Sequence, residues 1–147
     1  MAVVFDMDNT LTDEFGREVR PGMKDLLAKL QKEKFVLVLW TSSARSRARE
    51  ILSQHKLEQY FSKFIFREDY DPDKKGLPKD IRQVNGWFLV DDDPRQIKFL
   101  ESIGIAAFQI SPYRGGAKGD QEELKKLYQA ILASRPNKGI LDWLRRI

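Results

Sequence analysis

The stretch Ala2-Val-Val-Phe-Asp-Met-Asp-Asn-Thr-Leu-Thr-Asp13 decides how the rest of the chain is read. Four apolar residues run into Asp6 and Asp8, one residue apart. In extended backbone, residues i and i+2 point the same way, so two like charges start on one face at the end of a buried strand. A second acidic run, Asp91-Asp-Asp93, follows another apolar stretch, Gly86–Val90. Either run alone fits a turn or a helix cap. Both together, each placed directly after an apolar strand, ask for a cation. Carboxylate oxygens with water suit a hard, octahedral ion such as Mg²⁺.

Working outward, short apolar runs alternate with amphipathic ones. Residues 2–5, 35–40, 63–66, 86–90 and 106–110 read as strands. The second of these, Phe-Val-Leu-Val-Leu-Trp, is continuously apolar, as in a strand covered on both faces. Residues 20–34 read as a helix with Pro21 near its start and Met23, Leu26, Leu27 and Leu30 at helical spacing. Further helices are expected over 46–55, 94–104 and 120–133, with Asp120 as a cap, and a last short one in a tail from about 136 to 147. Alternation of this kind means a Rossmann-like α/β domain over residues 1–147, three layers with a mostly parallel five-stranded sheet and helices on both faces. Ligands of such sheets bind beyond the carboxyl ends of the strands, where strand order reverses. Asp6, Asp8 and Thr10 follow strand one; Thr41, Ser42 and Ser43 follow strand two; Asp91, Asp92 and Asp93 follow strand four.

Composition narrows the field. The 147 residues contain no cysteine, which excludes disulfides, thiolate metal sites and a cysteine nucleophile. No apolar run has the length of a membrane span, and the first residues lack the pattern of a signal peptide. A soluble, cytoplasmic monomer without membrane partners is the expectation. The formal net charge of +4 favours anionic partners at long range.

The motifs resemble those of the haloacid dehalogenase (HAD) superfamily. Asp-Met-Asp-Asn-Thr (6–10) is similar to its D-x-D-x-T signature, Leu-Val-Leu-Trp-Thr-Ser (37–42) to the second motif, and Phe-Leu-Val-Asp-Asp-Asp-Pro (88–94) to the acidic fourth. Within the superfamily the chain resembles the small RNA polymerase C-terminal-domain phosphatases, the NLI-interacting-factor-like group. Arg-Pro-Gly (20–22), Phe-Arg-Glu (66–68) and Lys-Asp-Ile (79–81) carry that likeness, as does the late Gly-Asp-Gln-Glu-Glu-Leu (119–124). The alignment selects Lys79, rather than Lys74 or Lys75, as the third-motif lysine. The chain departs from the group in two ways. Only residues 11–19 fill the place of a β-rich insertion, and Asp92 stands where Asn is frequent. Magnesium-dependent phosphatase-1-like proteins are another compact resemblance.

The resemblance implies a capless Mg²⁺-dependent phosphatase. Asp6 would be the nucleophile, forming an aspartyl-phosphate, and Asp8 the general acid and base. Thr41, Ser42 and Lys79 would hold the phosphoryl oxygens. The metal would lie on Asp6, the backbone carbonyl of Asp8, and Asp92, with Asp91 behind them. Absence of a cap implies a large phosphorylated substrate, foremost a phosphoprotein. A nucleic-acid end phosphatase and a non-catalytic phosphate-binding domain are the alternatives. Thr10 reads as a loop brace, His55 as a surface residue, and the arginines of Ala44-Arg-Ser-Arg-Ala-Arg49 as a solvated helix face.

Overall fold

The computed structural model describes residues 1–116 and 121–136. The expected cap at Asp120 and nearly all of the tail from 136 to 147 lie outside these residues. Five strands form one sheet in the order β3-β2-β1-β4-β5: β1 Ala2–Phe5, β2 Val36–Trp40, β3 Lys63–Ile65, β4 Gly86–Asp91 and β5 Ala106–Gln109. Every pairing is parallel. The chain builds outward from β1 to β3 on one side, then crosses to β4 and β5 on the other. Strand order therefore reverses between β1 and β4, the place where such sheets open a crevice.

β1 is buried along its whole length, and its side chains divide the core by alternation. Val3 and Phe5 face a large cluster with Leu37, Leu39, Phe88 and Val90 of the neighbouring strands. Three helices cover that face: α1 Met23–Lys32, α2 Arg45–Gln54 and α5 Gln121–Ser134. Ala2 and Val4 face a smaller cluster, with Val38, Trp40 and Leu89, under α4 Pro94–Ser102 and a 3-10 turn at Ile81–Val84. A four-residue helix, α3 Arg67–Tyr70, follows β3. The periodicity of α1 holds: Met23, Leu26, Leu27 and Leu30 are its buried residues. Burying such a side chain contributes about 1.5–3 kcal/mol relative to leaving it exposed.

Element limits shift where backbone geometry intervenes. α1 starts at Met23 rather than residue 20, because Gly22 at its cap has φ 83. A Cβ there would lie 2.8 Å from the Gln121 side chain and 3.0 Å from Leu124, so glycine permits both the left-handed turn and the approach of α5. Residues 11–19 form a compact loop instead of an inserted sheet. Thr12 bridges Val19 antiparallel, and Asp13 Oδ1 accepts the Arg17 N–H at 2.7 Å. Among the described residues no helix is long and apolar enough to cross a membrane.

Candidate active site

Parallel register places the two acidic runs side by side. Phe5 pairs with Val90, so Asp6, just past the end of β1, and Asp91, the last residue of β4, lie side by side. Asp6 N–H donates to the Val90 carbonyl at 3.0 Å, extending the ladder by one residue. One carboxylate oxygen from each of Asp6, Asp91 and Asp92 lies within 4.8 Å of the others. Lys79 arrives from the segment before the 3-10 turn, and it is 3% exposed. Its Nζ donates to Asp6 Oδ1 at 2.8 Å and to Asp91 Oδ2 at 2.7 Å. Its backbone N–H donates to Gln96 Oε1 of α4 at 2.8 Å. Lys79 is thus a buried, doubly paired residue and not a solvated one.

The charges explain one another. Burial pushes the Asp6 carboxyl up to about 6, against the pull of Lys79 and with a further rise from Asp92. Burial, then the charge of Asp6, pushes Asp91 up to about 6 as well. Asp92 is raised first by burial. Burial opposes the charge on Lys79, yet Asp6 and Asp91 together hold its ammonium well above the ordinary lysine range. Three crowded carboxylates against one ammonium leave the site short of positive charge.

The donor set fits a hard cation. Asp91 Oδ2 accepts from Lys79, and Oδ1 from the Asp93 N–H at 3.0 Å. Asp6 Oδ1 accepts from Lys79, and Oδ2 from the Thr10 hydroxyl at 3.0 Å. A carboxylate oxygen has a second lone pair, so Asp6, Asp91 and Asp92 could each offer an oxygen to a metal, while Asp91 also orients Lys79 and the start of α4. The Asp8 carboxylate lies outside this cluster. It pairs with Arg47 Nη1, 3.0 Å from Oδ1. Burial raises its pKa and Arg47 lowers it, with a net upward shift.

Thr41 and Ser42 part company. The Thr41 side chain is buried at the end of β2, where its Oγ1 accepts the Ser43 N–H at 3.0 Å. Ser42 lines the cleft. That cleft, of about 410 Å³, is bounded by Asp6, Asp8, Ser42, Tyr70, Lys79 and Asp92, among others. Its far wall is the 72–78 loop, held by buried Asp71, whose carboxylate accepts the N–H groups of Lys75 and Gly76 at 2.8 and 2.9 Å. Thr10 braces the site through Asp6, as expected. His55 is half-buried rather than a plain surface residue, with Nε2 2.7 Å from the Gly16 carbonyl.

Sequence reasoning missed two arginines. Arg20 is 5% exposed; it donates to the carbonyls of Thr10 and Asn9, both at 2.8 Å, and to that of Ser111. It thus fastens the loop after β1 to the loop after β5. Its place in Arg-Pro-Gly was the signal available. Arg47, taken for a solvated helix residue, crosses to Asp8 instead.

Comparison with known proteins agrees with this geometry. The family model for NLI interacting factor-like phosphatase matches residues 1–138. No curated protein sequence matches the chain. Among solved structures, an uncharacterized protein from Listeria monocytogenes serotype 4b superposes with a TM-score of 0.65 at 13% identity, over 90% of this chain and 97% of that one. A candidate β-phosphoglucomutase from Thermotoga maritima gives 0.63 at 17% identity, over 99% of each chain. A HAD-superfamily hydrolase from Ehrlichia chaffeensis gives 0.60 at 15% identity, over 88% and 97%. At these identities the likeness is one of fold.

Proposed function

The chain belongs to the NLI interacting factor-like phosphatase family, and from that premise we propose that it is a Mg²⁺-dependent phosphomonoesterase working through an aspartyl-phosphate on Asp6. The observation that carries this reading is the Asp6–Lys79–Asp91 arrangement beside Asp92 at the reversal of strand order. Asp6 and Asp92 would hold Mg²⁺, with the Asp8 carbonyl as a backbone ligand. When bound, the ion supplies the positive charge that lets an anionic nucleophile and an anionic phosphate meet.

In the first step an Asp6 carboxylate oxygen attacks phosphorus, the bond from phosphorus to the ester oxygen breaks, and Asp8 gives its proton to that oxygen. In the second step Asp8, now ionised, takes a proton from the water that attacks the same phosphorus. Inorganic phosphate and free Asp6 result. Lys79 and Ser42 would hold the non-bridging oxygens as charge spreads over them, with the Thr41 hydroxyl bracing the loop beneath them through the Ser43 N–H. Neither the 11–19 loop nor the stretch between β3 and β4 contributes a covering domain. An open cleft of this kind suits a phosphorylated side chain on a protein, or another large substrate.

The test is phosphate release from p-nitrophenyl phosphate by wild type and Asp6→Asn, with Mg²⁺ and with EDTA. Turnover that needs Mg²⁺ and falls at least about 1,000-fold in Asp6→Asn is the expected result. Turnover surviving that substitution would remove Asp6 as nucleophile. A panel of phosphopeptides and 3′- or 5′-phosphorylated oligonucleotides then separates a phosphoprotein substrate from a nucleic-acid end.

A further inference from the structure

The proposed reaction asks Asp8 to deliver a proton to the ester oxygen and to recover one from water, but no strand fixes Asp8 in place. It lies beyond the end of β1, in the turn that leads into the 11–19 loop. The geometry points to Arg47 as the positioning residue for Asp8, an inference that rests on the phosphatase reading. Arg47 Nη1 lies 3.1 Å from Asp8 Oδ2 and 3.0 Å from Oδ1. The same nitrogen donates to Ser43 Oγ, in the loop after β2. Nη2 donates to the Glu14 carbonyl at 3.1 Å. One guanidinium thus ties the acid/base carboxylate to the phosphate-binding loop and to the 11–19 loop. A planar fork suits such a clamp, and a lysine ammonium does not reproduce it.

Arg47 is the member of its run that reaches the site. Arg45 is occupied by Asp69 at 2.6 Å, and Arg49 stacks over the Phe66 ring at 5.1 Å. The next residue, Ala48, is fully buried against the core, which fixes the helical phase that sends Arg47 toward Asp8. The clamp leaves an opening for chemistry. Asp8 Oδ1 is buried against Arg47 without a hydrogen bond of its own, and the Asp8 residue lines the cleft in which the ester oxygen of the substrate or the attacking water would lie.

General acid catalysis matters in proportion to how badly the leaving group needs a proton. p-Nitrophenolate departs without one; phenolate does not. The test compares kcat/KM for phenyl phosphate and p-nitrophenyl phosphate, at saturating Mg²⁺, in wild type, Arg47→Gln, Arg47→Lys and Ser43→Ala. Arg47→Gln is expected to lose about 100-fold on phenyl phosphate and no more than about threefold on p-nitrophenyl phosphate. Arg47→Lys falls between, and Ser43→Ala shifts the ratio the same way by less. Ser43→Ala also carries the test if Arg47→Gln fails to fold, as judged by circular dichroism. Equal losses on both substrates would make Arg47 merely structural and overturn the inference, as would no loss on either. Wild type inactive on both would instead overturn the phosphatase reading itself.

Discussion

The floor of the cleft and its rim are built on opposite principles. The floor, Asp6, Asp91 and Lys79, is buried: parallel strand register places the two aspartates, and Lys79 reaches them from the segment before the 3-10 turn. Its groups gain strong mutual attraction in low dielectric and pay for it in lost hydration. At the rim, Asp8 and Arg47 have side chains 25% and 40% exposed, and they are held by bonds between loops. Water screens that pair, so it contributes geometry more than stability. Charges buried in the floor are expected to control whether the protein folds and binds metal; charges at the exposed rim are expected to control how well a proton is moved.

The sharpest way to break that contrast is Lys79→Met. It leaves Asp6 and Asp91 buried without their cation, and is expected to lower unfolding free energy by about 3–5 kcal/mol in metal-free denaturant titrations. Mg²⁺ should recover part of the loss. Unchanged stability would mean that Lys79 does not hold the floor together.

Next in size is pH. Asp6 and Asp91 have folded-state values of about 6 against an ordinary 3.8. Between those limits the folded protein keeps protons that the unfolded chain has released. Their contribution to stability is whole below about pH 3.8 and is lost as pH rises through 6. Melting temperature without metal should therefore fall from pH 4.5 to 6.5, about the range set by linkage, and saturating Mg²⁺ should flatten or reverse the trend. A metal-free profile that rises over the same window would contradict a desolvated floor.

A finer probe is Thr10→Val, which removes the hydroxyl on Asp6 Oδ2. A loss of about 1–3 kcal/mol is expected, smaller than for Lys79→Met because one hydrogen bond is removed and no charge is stranded. The smallest effect belongs to the rim. Arg114 pairs with Glu14 at 3.2 Å and is 60% exposed, so Arg114→Ala should change stability by no more than about 0.5 kcal/mol in the same titration.

The layered α/β architecture could be read from alternation: FVLVLW is apolar enough for a two-faced strand, and α1 repeats its apolar residues at helical spacing. Asp6, Asp8, Asp91 and Asp92 could be picked out because acids following apolar strands are locally unfavourable unless something compensates them. Lys79 needed the family likeness, since Lys74 and Lys75 look alike locally. Arg20 and Arg47 could not be placed, because a long charged side chain on an amphipathic element has the same local pattern whether it is solvated or bridges to a distant loop. Local pattern also misplaced the start of α1, where left-handed Gly22 and the approach of α5 decide.

The sequence by itself therefore determined which residues could be strands, which faces would be apolar, and where surplus negative charge would gather. Those depend on periods of two and 3.6 residues and on neighbours in the chain. Only the tertiary structure decided that β4 lies beside β1, that Asp91 spends both oxygens on Lys79 and the start of α4, and that Arg47 takes Asp8. Each of those depends on contacts between segments far apart in sequence. Those contacts exist only once the fold has brought the segments within reach of one another, and burial then strengthens the ones on the floor of the crevice.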